Sequence, residues 1–396
     1  MNTMSCDIEN EFIPIRGNTR FADVITFVGL NGYGLEADVA LSLSSYYRDE
    51  DWLWNGIVRA QHPVTGITRL IHAAKTNNMK SLEKVIKHLA IPSRLNLQDI
   101  NGKTAIYWAC ENKHPKVLKR LLDAKAMPDI PDKDGISALT IAVKGDSVNI
   151  VQILCKNSKL FNSIHRIDFN RCSLHKTTPL MISSARGNYK ISRILINQGA
   201  DVNAVERYGR SALSIASEYN HNEIVKLLCL NGANIDQLDN DSNTPLMYAA
   251  SDGNTDIITT LCELGADVHL QDELGNTPLM LLCQTTLNNC DHIKNIKEFI
   301  KFGSNIHAVN HDNESLIMMA VKWCHIKVIK YLLDIGVNPN LVDGFGISAL
   351  DIAIKMKRNH VVDLLYTYGA NPIVDESDSE SDNESDSESD SESDDD

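Results

Sequence analysis

Three groupings of side chains in this chain of 396 residues have the types that hold a metal ion: Cys283 with Cys290 and His292, Cys172 with His175, and Cys324 with His325. A structural zinc site needs four ligands, ordinarily delivered as two closely spaced pairs. No grouping has that paired spacing, so neither metal nor other cofactor is expected. Catalytic patterns are equally sparse. There is no glycine-rich phosphate loop, no Gly-x-Ser-x-Gly elbow and no His-Glu-x-x-His. The stretches Asp132 to Gly135 and Asp272 to Gly275 resemble metal loops, but they recur in step with everything around them, which marks them as turns. The expectation is a protein that is not an enzyme. One further chemistry is written at the end of the chain, where Ser377, Ser379, Ser381, Ser385, Ser387, Ser389, Ser391 and Ser393 each have a carboxylate three residues later. That is the preference of acidophilic, casein-kinase-type enzymes, and phosphorylation there would deepen an already negative charge. A plain solubilising tail is the alternative.

The elements that carry these residues are set by a repeat. Ser211-Ala212-Leu213, Thr244-Pro245-Leu246 and Thr277-Pro278-Leu279 stand 33 residues apart, each with an acidic residue five positions earlier (Glu206, Asp239, Asp272). Each Thr or Ser is a helix N-cap, and Pro at the next position costs no backbone donor. Ala249-Ala250 allows close approach of a short first helix, and Ile224, Val225, Leu227 and Leu228 give a second helix one apolar stripe. Gly232 and Gly265, 21 residues after their anchors, end that second helix in a left-handed turn. Extending outward gives nine anchors, Thr68, Thr104, Ser137, Thr178, Ser211, Thr244, Thr277, Ser315 and Ser348, with insertions of three, eight and five residues at the spacings of 36, 41 and 38. Cys155, Cys229 and Cys262 each lie 18 residues after an anchor, at a core position of the second helix.

This pattern resembles the ankyrin repeat, whose unit of about 33 residues is a hairpin turn followed by two antiparallel helices. The resemblance implies an all-α solenoid of about nine helix-turn-helix units with short β-hairpin turns, spanning residues 64–373. It departs from the family at one place. The usual His three residues after the anchor is replaced by Ile71, Tyr107, Thr140, Met181, Ser214, Met247, Met280, Met318 and Asp351, so weaker hydrogen bonding between neighbouring units is expected. The abundance of Asn, Ile and Lys is similar to the expanded ankyrin sets of large DNA viruses.

Outside the repeats, residues 1–18 read as a disordered leader, and residues 374–396 as a disordered acidic tail of alternating Ser and Asp or Glu. The tail holds 13 of the 52 acidic residues and no basic ones, leaving 39 acidic against 38 basic side chains in the body. A nearly neutral body gives no support to nucleic acid or an anionic membrane as partner. Nine cysteines, an odd number, point to reduced thiols, and the polar N-terminus lacks the pattern of a secretory signal, so an intracellular site in cytoplasm or nucleus is expected. Residues 19–63 carry no anchor. One reading makes them a helical cap on the exposed end of the stack. The other notes that Val39 to Trp54, a Leu/Ser-rich stretch with an acidic turn and a Leu-Trp pair, resembles the latter half of an F-box. On that resemblance Leu41, Leu43, Trp52 and Trp54 would bind the adaptor subunit of a cullin-type ubiquitin ligase.

In the ankyrin family partners meet the hairpin tips and the outward ends of the first helices. Four and three residues before each anchor, and seven and eight after it, those places hold Arg207, Tyr208, Tyr219, Leu274, Lys322, Trp323, Phe345 and Met356 among others. Buried aromatic and Arg anchors dominate interface energetics, so these are the expected partner-binding residues of a monomeric, non-catalytic interaction scaffold whose protein target is unspecified. The loop containing His165, Arg166, Arg171 and His175 is basic, but is expected to be a solvated connection.

Overall fold

The computed structural model of this chain describes residues 65–88, 92–158, 166–285, 292–324 and 326–372. The leader, residues 19–63 with the adaptor-type positions, the acidic tail and its serines, His165, Cys290 and His325 lie outside the described residues.

Each anchor starts a helix for a local reason. Thr68, Thr104, Ser137, Thr178, Ser211, Thr244, Thr277 and Ser348 have extended backbone, and their hydroxyls accept the amide three residues on at 3.1–3.4 Å. The first helices are Arg69–Lys75, Ala105–Glu111, Ala138–Lys144, Pro179–Ala185, Ala212–Glu218, Pro245–Ser251, Pro278–Cys283, Leu316–Trp323 and Ala349–Lys355. Their partners are Met79–His88, Pro115–Asp123, Val148–Ser158, Tyr189–Asn197, Asn222–Leu230, Thr255–Glu263, His292–Lys301, Ile326–Asp334 and Asn359–Thr367. Helices of two turns are marginal in isolation, so packing must hold them. The Ala pairs Ala73-Ala74 and Ala249-Ala250 are fully buried where consecutive first helices meet, and Leu118, Leu121, Ile191, Leu195, Ile257 and Leu261 of the second helices fill the layer behind. One continuous core runs from Leu70 to Ala370. Among the described residues no strand forms. The hairpins close instead through single antiparallel bridges such as Val205 with Ser211 and Val342 with Ser348.

Neighbouring units are joined by backbone hydrogen bonds from tip to tip. The amide of Ile100 donates to Thr65 O, Lys133 to Asn101 O, Leu174 to Asp134 O, Arg207 to His175 O, Asn240 to Tyr208 O, Glu273 to Asp241 O, His311 to Leu274 O and Gly344 to Asp312 O, at 2.7–3.4 Å. All eight junctions between nine units are therefore bridged in the same way, and the substitution of the His after each anchor does not interrupt them. The residue at that position acts inside its own unit. The sulfurs of Met181, Met247 and Met318 and the side chains of Ser214 and Asp351 accept the anchor's own amide, completing a reciprocal cap. The expectation of weakened coupling is corrected on this point, because the coupling is carried by main chain, which does not depend on side-chain identity.

A second set of bonds caps helices across junctions. His221 Nε2 meets Ala185 O at 3.1 Å, Asn254 Nδ2 donates to Ser217 O at 3.2 Å, and the Arg358 guanidinium donates to Val321 O and Cys324 O. These acceptors are carbonyls at or just past the C-terminal ends of the preceding first helices, where the helical hydrogen-bond ladder runs out.

The tip ladder leaves no room for a side chain at certain glycines. Gly209 has φ +81°, and a Cβ there would stand 2.8 Å from the amide nitrogen of Asn240 and 2.9 Å from Asp239 Cα, both main chain of the next unit. Gly232 has nearly the same φ, but a Cβ there meets nothing within 4 Å. Gly209→Ala is expected to lower stability by about 2–4 kcal/mol, because a junction must open, and Gly232→Ala by about 1 kcal/mol from backbone conformation alone. Urea denaturation of the two variants checks this; equal losses would contradict it.

Candidate protein-binding surface

In three units a pair of side chains fixes the hairpin against the last turn of its first helix. In unit two Lys103 pairs with Glu111 at 3.0 Å, in unit five Arg210 pairs with Glu218 at 2.9 Å, and in unit eight Glu314 pairs with Lys322, with the charges exchanged. The residues stand one before and seven after their anchors, so the pair brings the hairpin alongside the end of the helix. Arg210 also binds the buried Glu206 at 2.7 Å. The Asp five before the anchor folds the tip: Asp99, Asp132, Asp239, Asp272 and Asp343 each accept two amides of their own turn through one oxygen. The other oxygen of Asp99 takes Trp108 Nε1–H at 2.9 Å, and that of Asp239 takes the Tyr248 hydroxyl at 2.5 Å. Burial first, and then this bond to Asp239, pushes the Tyr248 hydroxyl well above the ordinary range.

Tips and helix ends thus share one face, and the expected binding residues are distributed along it. Phe345 is 83% exposed, Leu274 64%, Tyr208 61% and Trp323 52%; Arg207, Tyr219 and Met356 are also exposed. Lys322 differs from the rest. It is half-buried and its charge is matched by Glu314, which makes it part of the frame. The same holds for Arg171 in the basic connection, which binds the Asp129 carboxylate at 2.7 Å.

Of the metal-type groupings, Cys290 and His325 lie outside the described residues. Cys172 and His175 are both exposed, and Cys283 and Cys324 are both buried, while His292 meets the Thr285 hydroxyl at 2.5 Å. What comes together instead is Cys283 with Cys324, across the junction of units seven and eight. The Cys324 thiol donates to the Cys283 carbonyl at 3.1 Å, and its hydrogen bond to the Cys283 thiol, with burial added, raises Cys283 well above the usual range. No group of three His, Cys, Asp or Glu poised for a metal occurs among the described residues. A shallow cleft lined by Gln152, Cys155, Ile194 and Gln198 lies between second helices, away from the tips. No described helix is long and apolar enough to cross a membrane.

Comparison with known proteins agrees with this architecture. The family described as "Ankyrin repeats (3 copies)" matches residues 70–165, 158–239, 230–295 and 282–375. The chain belongs to the ankyrin repeat family. Its similarity to neurogenic locus notch homolog protein 1 of Xenopus tropicalis and of Homo sapiens is 34% identity over 117 residues, 30% of this chain and 4% of those proteins. Notch homolog protein 2 of Homo sapiens is 34% identical over 114 residues, 29% of this chain and again 4% of that protein. The chain therefore matches only a small fraction of the length of these relatives. Among solved structures, the ankyrin repeat domain of Bcl-3 superposes with a TM-score of 0.52 at 24% identity, covering 59% of this chain and 99% of that one. That likeness shows the ankyrin fold. Ankyrin repeats generally mediate protein–protein interaction, and no catalytic family is indicated.

The middle of the ankyrin face holds carboxylates that lack full compensation. Burial raises Asp252, and burial raises Glu218 as well, with Arg210 opposing and Asp252 and Glu206 adding to the rise. A carboxyl whose folded pKa is raised binds more protons folded than unfolded, so its ionisation costs stability as pH climbs from the unfolded value of about 4 through the folded one. Asp252→Asn is expected to stabilise the protein by a few tenths of a kcal/mol at pH 7, screened as it is by solvent, with the gain vanishing below about pH 4. Thermal melts across pH check this; a variant less stable at neutral pH would contradict it.

Proposed function

We propose that this ankyrin repeat protein is a non-catalytic scaffold that works as an intracellular monomer and holds a protein target along its tips and first-helix ends. The observation that carries this reading is the row of exposed Tyr208, Tyr219, Leu274, Trp323, Phe345 and Met356, side chains whose burial by a partner would remove apolar surface from water. They sit on main chain that is fixed at every junction, so little order remains to be imposed on binding. Arg207 adds a cationic contact beside Tyr208. The phosphorylatable tail serines would modulate charge near the C-terminal unit.

A second role rests on the Leu-Trp pattern of residues 19–63. Through Leu41, Leu43, Trp52 and Trp54 this segment would join the adaptor of a cullin-type ubiquitin ligase, and the ankyrin face would then select the substrate. Retention of the adaptor by the full chain, and its loss with Trp52→Ala and Trp54→Ala together, is the expected outcome; a chain that never retains it leaves the segment as a cap.

For the scaffold itself, affinity capture with the full chain is compared with Trp323→Ala combined with Phe345→Ala. Two contacts of about 2 kcal/mol each would weaken a target that engages them by roughly several hundredfold, removing it from the captured set. Capture unchanged by the double substitution in a normally folded protein would refute the assignment of this face.

A further inference from the structure

We infer that the tips of units five to nine receive a segment of polyproline II conformation in which an apolar side chain recurs every sixth residue and a basic one falls midway. This rests on the scaffold reading and specifies its partner. Three residues before the anchor, the five successive tips carry Tyr208, Asp241, Leu274, Asp312 and Phe345, alternating apolar and acidic. Their equivalence is structural as well as numerical. The carbonyls of Tyr208, Asp241, Leu274 and Asp312 accept the ladder amides of the next tips at 3.0, 3.2, 2.9 and 2.7 Å, so the five residues follow one another along one main-chain row. The three apolar members are exposed, as described above. Neither Asp241 nor Asp312 has a side-chain hydrogen bond to another residue or an ion pair among the described residues, although both are exposed and stand one unit from an apolar tip on each side.

The step length selects the conformation of the guest. Adjacent packed helices lie about 8–10 Å apart, and the tips they carry advance by about the same amount. A polyproline II helix has three residues per turn and rises about 3.1 Å per residue, so every third side chain points the same way after about 9 Å. One turn therefore matches one tip, and thirteen residues span the five. A β-strand fails this register, because side chains three apart face opposite sides, and an α-helix of about 5.4 Å pitch does not place a side chain on the same face at each tip step. Facing alternate tips, the guest presents leucine- or phenylalanine-like groups to Tyr208, Leu274 and Phe345, and Lys or Arg to Asp241 and Asp312. Arg207 beside the first of these tips favours carboxylates on the end of the guest that overruns Tyr208.

The test is a phage-displayed library on a thirteen-residue proline frame, with each third position varied among leucine, phenylalanine, arginine, glutamate and serine, selected on the full chain. The expected result is leucine or phenylalanine at the outer and central varied positions and arginine at the two between. A synthetic peptide of the enriched sequence should bind Asp241→Lys combined with Asp312→Lys at least about tenfold more weakly, and Leu274→Ala likewise, the latter covering the case in which the charge reversal unfolds. Glutamate at the intervening positions, no positional preference, no enrichment, or affinities unchanged by either variant would overturn the inference. If the library fails while affinity capture remains sensitive to Trp323→Ala with Phe345→Ala, this guest is wrong and the scaffold stands; if both fail, both are wrong.

Discussion

The architecture depends on one repeated contact, the main-chain hydrogen bond by which each hairpin tip donates to the carbonyl of the tip before it. A helical hairpin of this size has too little core to fold alone, and its first helix is only two turns long. Stability therefore resides in the junctions as much as in the units, which is the condition for a one-dimensional stack. The ladder sets translation and orientation at the front edge, the cross-junction caps from His221, Asn254 and Arg358 set them at the helix ends, and buried Ala pairs set the spacing between. Because the ladder is main chain, the side chains of Tyr208, Leu274 and Phe345, three before their anchors, are not needed to hold it. That division of labour explains how Tyr208, Leu274 and Phe345 can stand exposed on a frame that is otherwise tightly specified.

The same division bears on charge. Ion pairs at the base of the hairpins, Lys103 with Glu111, Arg210 with Glu218 and Glu314 with Lys322, are half-buried and fasten the hairpin to its helix. Reversing the order of charges in unit eight keeps the attraction, so only complementarity is required there. Among the described residues Asp241 and Asp312, one row further out, have no such counterpart. Charges near the base hold the frame, and charges at the tips remain available to a partner.

Much of this was legible in the letters. The nine anchors, the insertions, the helix pairs and the core position of Cys155 and Cys262 all follow from a period and from the physics of caps and apolar stripes, while Cys229, at the same position, is only half-buried. What escaped was contact between positions that the period does not relate. Arg210 and Glu218 are eight residues apart across a hairpin and a helix, and no one-dimensional rule makes them neighbours. The polar residues ten after the anchors are a visible column, yet the use of His114, His221, Asn254 and Arg358 as caps for the preceding unit requires knowing how far one unit is displaced from the next. The absent His misled for a related reason: its position was assigned to coupling between units, whereas Met247 and Asp351 there complete a cap within one. Lys322 was legible as a surface position but not as half of an ion pair. The pairing of Cys283 with Cys324 was hidden by their 41-residue separation, although each lay in a grouping of its own.

The ladder amides sit at the surface and would exchange freely if the tips were not joined. Hydrogen exchange of the Arg207, Asn240, Glu273 and Gly344 amides, followed residue by residue in the intact chain, measures the ladder directly. Slow exchange at all four, released together when a neighbouring junction is disrupted, is the result required of a stack bound tip to tip. Exchange at the rate of an unstructured peptide, with the helices still protected, would show that the tips are not joined and that helix packing alone holds the units in line.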